Sequence, residues 1–164
     1  MKHPDNMKFR TIMLALVFLF LAGIAHADTR MPAFSLASAA DGEIVDSSSF
    51  NGKTLLVTFF ATYCPPCRLE VKELKELQNT YAANQFSVVA LSMDRGSSGV
   101  ARFMKERSIN YPVLMATMQT SNDFGGVMSI PSAFLVNSDG DVVKRYMGYV
   151  ARDIFEKDIK RVME

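Results

Sequence analysis

Thr54 to Cys67 reads TLLVTFFATYCPPC, and the fold follows from how its two halves are read. Thr54 to Ala61 is an apolar, β-branched run of the kind that forms a strand buried on both faces. Cys64-Pro65-Pro66-Cys67 holds the only two cysteines in 164 residues. Arg68 to Tyr81 places Val71, Leu74, Leu77 and Tyr81 at three- and four-residue steps among lysines and glutamates, which predicts an amphipathic helix. A buried strand thus delivers a dithiol to the mouth of a helix. Helical positions three apart bring Cβ atoms to about 5–6 Å, and a disulfide needs about 3.5–4.5 Å. A small local adjustment therefore opens or closes the bond. The helix N-terminus carries about half a positive charge, which favours thiolate over thiol.

The chain is 49% hydrophobic and 21% charged, the balance of a globular protein. Its first residues are read separately. Lys2, Lys8 and Arg10 precede an uncharged apolar run from Thr11 to Ala25, and Ala25-His26-Ala27 supplies small residues at a signal-peptidase spacing. The run spans fifteen residues, short of the roughly 17–25 of a spanning helix. Residues 1–27 are expected to be a secretory signal, and the alternative is an uncleaved anchor. No cysteine follows the run to take a lipid. Either reading exports residues 28–164 as one domain, periplasmic in a bacterium.

Removing 1–27 leaves 15 basic against 16 acidic residues, so no strong basic field remains for nucleic acid. Both histidines, His3 and His26, go with it. The remaining domain has no Cys–His or Ser–His pair to offer, and zinc would find only two thiolates and carboxylates. Thiol chemistry is what is left.

Asp28 to Lys53 reads as a loose hairpin around Asp41-Gly42. Phe86 to Met93 predicts a second buried strand, completing a βαβ unit with a right-handed crossover. Val100 to Ile109 predicts a short helix and Tyr111 to Ala116 a strand, which Pro112 confines to an edge or a strand start. Thr117 to Met128 reads as irregular, most flexible at Gly125-Gly126. Ser132–Asn137 and Val142–Tyr149 flank Ser138-Asp139-Gly140-Asp141, a hairpin signal. Ala151 to Met163 predicts a helix with Ile154, Phe155, Ile159 and Val162 on its apolar face. The order implies an α/β fold, a mixed sheet with helices on both faces.

Val57 to Glu70, VTFFATYCPPCRLE, resembles the active-site stretch of thioredoxins, and more closely their exported TlpA/ResA-like branch. The resemblance covers most of residues 28–164. Pro32 to Leu36 with Asp41-Gly42 looks like the branch's N-terminal hairpin, Phe50 to Lys53 like its lead-in to the active-site strand, and Asp94 to Ala116 like its helix-containing insertion. Ser129-Ile130-Pro131-Ser132 resembles the loop that carries a cis-proline. The resemblance implies a thioredoxin-like fold, a redox-active Cys64–Cys67 disulfide and no further cofactor. Two departures stand out. Tyr63 replaces the usual tryptophan before the first cysteine, and Thr58 stands where thioredoxins bury a proton-relaying aspartate.

Cys64, before a proline and at the cap position, is expected to attack, and Cys67 to resolve the mixed disulfide. The alternative is a static bridge, but one closing so short a loop stabilises little. Glu70 shares a helix face with Leu74, Leu77 and Tyr81 and has no cation three or four residues away. Burial would raise its pKa and suit it to relay thiol protons, a role the resemblance also implies. An exposed helix glutamate is the alternative. Pro131, if cis, would abut the disulfide and leave the Ile130 backbone free to pair with a substrate strand. Tyr63, Phe60 and Phe124 are candidates for an apolar docking surface, although Phe60 suits the core better. No metal site is expected. Scattered methionines such as Met115, Met118 and Met128 suggest thioether copper ligands less than core filler.

The leading expectation is an exported thiol–disulfide oxidoreductase. By resemblance it acts as a reductant of protein disulfides such as apocytochrome c cysteines, fed by a membrane thiol electron donor, as a monomer and without nucleic acid. The alternatives are a periplasmic oxidase or isomerase, and a metal or haem chaperone on the same fold. A peroxiredoxin is disfavoured, since Val57 and Ala61 break the Pro-x-x-x-Thr/Ser-x-x-Cys pattern.

Overall fold

The computed structural model describes residues 29–164. The expected signal, residues 1–27, lies outside that range. β1 (Ser35–Ala37) and β2 (Ile44–Asp46) form a small antiparallel hairpin. The main sheet comprises β3 (Thr54–Phe60), β4 (Phe86–Ser92), β5 (Val113–Met115), β6 (Ser132–Val136) and β7 (Val142–Met147), in the order β5-β4-β3-β6-β7. β3 runs parallel to β4 and antiparallel to β6, so the sheet is mixed and β3 is central. Every residue of β3 and β4 is buried, which accounts for their largely apolar sequence, broken only by Thr54, Thr58, Ser87 and Ser92.

Alternation along β3 divides the core. Leu56 and Phe60 face one cluster with Leu74 and Leu77 of α1 (Pro65–Tyr81), Val100 and Phe103 of α2 (Ser97–Arg107), and Phe155 and Ile159 of α4 (Arg152–Met163). Leu55, Val57 and Phe59 face a second cluster with Phe34 and Leu36 of the hairpin region, and Phe124 at the end of α3 (Met118–Asp123). Helices therefore flank both faces, with the longer ones on the first. The hairpin docks on the β5 edge, where Ala39 N–H donates to Val113 O at 2.8 Å. That contact covers an edge otherwise open to pairing with another chain.

Three local expectations need correction. α3 lies where an irregular segment was expected. Thr117 caps it: its hydroxyl accepts from the Thr120 N–H at 3.1 Å, and Thr120 Oγ1 accepts from the Thr117 N–H at 3.4 Å. A threonine thus fills the place a glutamate takes in the usual capping box, and six residues are too few to show apolar periodicity. Gly125 and Gly126 follow at φ of 83° and 71° and end the helix. Thr117→Ala should lower stability by about 1 kcal/mol, read from the urea midpoint.

The second correction is Ile154, which is 47% exposed because the buried arc of α4 runs through Phe155, Asp158 and Ile159. Asp158 is tolerated there because Lys144 Nζ and the Tyr146 hydroxyl donate to it at 2.6 and 2.9 Å. The third concerns the methionines. Met118 and Met128 lie on the surface, so the core-filler reading fails for them.

Candidate active site

Four residues, Ala61 to Cys64, carry the chain from β3 to α1, and neighbouring strands hold this link. Met93 N–H donates to Phe60 O at 2.8 Å. Asp94, just beyond β4, accepts from the Thr62 N–H at 3.0 Å and the Thr62 hydroxyl at 2.6 Å, and the Ser92 hydroxyl donates to it at 2.9 Å. Thr62 and Asp94 escaped the sequence reading because they are 32 residues apart and form no local pattern. Three donors on one carboxylate fix the residue two before Cys64.

Cys64 is the N-cap of α1, in extended backbone conformation, with Pro65 and Pro66 as the first two helical residues. Neither proline has an amide hydrogen. The first amide available to a capping group therefore belongs to Cys67, and it donates to Cys64 Sγ at 3.3 Å. Arg68 N–H returns to Cys64 O at 3.1 Å as the first regular helical bond. The cap position, the helix terminus and the one available first-turn N–H all converge on a single sulfur. Cys64 and Cys67 are joined as a disulfide with Cα atoms 5.3 Å apart.

The Ile130–Pro131 peptide is cis, and Ile130 O lies 3.7 Å from Cys64 Sγ. Sixty-six residues of sequence are thereby closed onto one sulfur. Pro131 is buried and Ile130 half-buried between the two core clusters. Tyr63 is 71% exposed beside Cys64, and Met128, two residues before Ile130, is 94% exposed. Phe60 is core, packed near Phe103. Phe124 does not join the site. It lies on the opposite face of the sheet, edge-on to Phe59 and Phe134, so its place in an apolar docking surface is withdrawn.

Glu70 is 1% exposed, one turn beyond Cys67 on the buried face of α1. Burial pushes its carboxyl up from 4.5 to about 7, against the Val150 N–H, which donates to Oε1 at 3.1 Å, and against Thr58. The Thr58 hydroxyl is buried without a hydrogen bond of good geometry, yet it acts on Glu70 and pulls its pKa down. It thus lies beside the carboxyl without firmly bonding it. The Tyr111 hydroxyl is pushed up by burial and by the Glu70 charge. Val150 was not legible as a neighbour of Glu70 in the sequence. Among the described residues no three His, Cys, Asp or Glu side chains converge as a metal cluster.

Comparison with known proteins agrees with this geometry. The Redoxin family model matches residues 26–163. The thiol-disulfide oxidoreductase ResA of Bacillus thuringiensis subsp. konkukian is 26% identical over 122 residues, 74% of this chain and 70% of that protein. ResA of Bacillus subtilis is 29% identical over 108 residues, 66% of this chain and 60% of that protein. The crystal structure of a thioredoxin-family thiol:disulfide interchange protein from Chlorobium tepidum superposes with a TM-score of 0.76 at 33% identity, covering 84% of this chain and 97% of that one. The chain belongs to the redoxin family, in the TlpA/ResA-like branch of the thioredoxin superfamily, and is a thiol–disulfide oxidoreductase.

Proposed function

We propose that the protein is an exported reductase of protein disulfides, with Cys64 as the attacking thiolate. The observation that carries this is the convergence of the helix cap and the Cys67 N–H on Cys64 Sγ. In the reduced protein the Cys64 thiolate attacks one sulfur of a substrate disulfide. A mixed disulfide forms and one substrate thiolate leaves. Cys67 then loses its proton and attacks Cys64 Sγ, closing the Cys64–Cys67 bond and releasing the second substrate thiolate. Two electrons pass to the substrate, and a thiol donor must restore the dithiol.

Glu70 takes the Cys67 proton in this scheme. A carboxyl near 7 holds and releases a proton about equally well at neutral pH. The Ile130 backbone and Pro131 bind the substrate strand beside the disulfide, as no described residue accepts from the Ile130 N–H, and Tyr63 packs against the strand. The basic leader and apolar run before residue 28 support export, with a membrane thiol carrier as donor and oxidised cysteines of apocytochrome c type as substrates. Among the described residues no helix is long and apolar enough to cross a membrane.

Trapping tests the proposal. A Cys67→Ser variant should accumulate mixed disulfides through Cys64 when mixed with periplasmic extract, and mass spectrometry should locate Cys64 in the crosslinks. Recovery of no crosslinked partner, or of crosslinks that persist after Cys64 is also replaced, would overturn it.

A further inference from the structure

We propose that the seam between α1 and α2 selects protein disulfides flanked by acidic residues. The inference rests on the reductase reading above and adds a substrate class to it. The two helices meet where Lys75 Nζ donates to Arg107 O at 2.7 Å and Asn110 Nδ2 to Asn79 Oδ1 at 2.6 Å. Two open depressions of about 330 and 300 Å³ lie along this seam, and Arg68 lines both. The second extends to Thr62 and Tyr63, the two residues before Cys64, with Arg102 in its wall.

Charge along the seam is lopsided. Arg68, Lys72, Lys75, Arg102 and Arg107 line it against two carboxylates, Glu76 and Glu106. Glu76 is already engaged by Arg152 at 2.8 Å. Glu106 meets Arg102 at 4.0 Å with both side chains exposed, a pair of little strength. Arg107 lies over the Phe103 ring at 5.7 Å. Arg68 and Lys72 are exposed and have no acidic partner among the described residues. Residues 29–164 hold 15 basic and 15 acidic residues, so this excess is local to the seam rather than general.

Its position relates the excess to the reaction. Arg68 lies one helical turn from Cys64 and is bonded through its N–H to the Cys64 carbonyl. An extended substrate covers about 3.3–3.6 Å per residue. An acidic residue two or three positions from the substrate cysteine therefore reaches the Arg68 and Arg102 guanidiniums while the cysteine is on Cys64. Charges at the rim of an interface act chiefly on encounter rate, and that action is screened by salt.

Two disulfide-bonded peptides that differ only in glutamate or lysine two and three residues from each cysteine test the inference with the full reduced protein. Rates are normalised to reduction of the same peptides by dithiothreitol, which removes their intrinsic reactivity. At low salt the glutamate peptide should be reduced about 3- to 10-fold faster, and the ratio should fall toward one at high salt. Arg68→Glu with Arg102→Glu should invert the ratio, whereas Arg68→Lys with Arg102→Lys should keep it. A ratio near one, or one indifferent to the charge reversal, overturns the inference while leaving the reductase reading intact. Failure to reduce either peptide would count instead against the reductase reading.

Discussion

Cys64→Ser should abolish disulfide reduction, lowering turnover of a peptide disulfide by at least about 1,000-fold, because serine offers no competent nucleophile for sulfur at neutral pH. The variant should nevertheless fold. A bridge between residues three apart removes little unfolded-state entropy, and losing it costs about 2 kcal/mol by the loop-closure relation. Cys67→Ser should behave differently, completing the first exchange and stopping at the mixed disulfide. Equal and complete loss of the first exchange in both variants would contradict the assignment of roles. The expected asymmetry rests on the cap rather than on exposure: both cysteines are buried, but Cys64 is the N-cap and receives the first available N–H of α1, whereas Cys67 lies inside the first turn.

Glu70→Gln should change the pH dependence of stability more than any other single substitution here. Below about pH 4.5 folded and unfolded chains both carry the proton, and the carboxyl contributes no difference. Between about 4.5 and 7 the unfolded chain releases its proton first, so the native state loses stability as pH rises. Above about 7 the loss levels off at about 3 kcal/mol for a shift of this size. Glutamine keeps the acceptor for the Val150 N–H and brings an amide beside the Thr58 hydroxyl. Urea melts of the disulfide form should therefore show little difference at pH 4 and a variant more stable by about 2–3 kcal/mol at pH 8. A pH-independent difference would mean that Glu70 is not held neutral by burial. The thiol titration of the reduced variant should also change shape, and an unchanged curve would remove the proton-relay role.

An uncharged side chain in the place of Glu70 would be more stable at neutral pH, and the proton relay proposed above is the use that would offset that cost. Thr58 cannot titrate, which leaves Glu70 as the titratable carboxyl that the turn after Cys67 supplies.

What the sequence disclosed and what it hid follow one physical rule. Strand β3, the dithiol and α1 are contiguous, so their periodicities and the Cys-Pro-Pro-Cys spacing could be read directly. Burial of Glu70 was readable as well, because it shares a face with Leu74, Leu77 and Tyr81. Its partner was not, since Val150 arrives from 80 residues away. The Asp94 clamp on Thr62 and the position of Phe124 behind the sheet depend equally on tertiary placement. Cap chemistry hid α3, where a threonine stands in for a glutamate. Ile154 shows the limit of periodicity itself, since the same spacing admits two neighbouring arcs of α4 and the deeper one is occupied by Phe155 and Ile159.

The most direct test of the central claim is a brief pulse of iodoacetamide on the fully reduced protein at about pH 6.5, where an ordinary thiol of pKa about 8.5 is almost wholly protonated. Peptide mass spectrometry then locates the label. Alkylation of Cys64 well ahead of Cys67 is the predicted result, and equal labelling of the two, or labelling of Cys67 first, would contradict it.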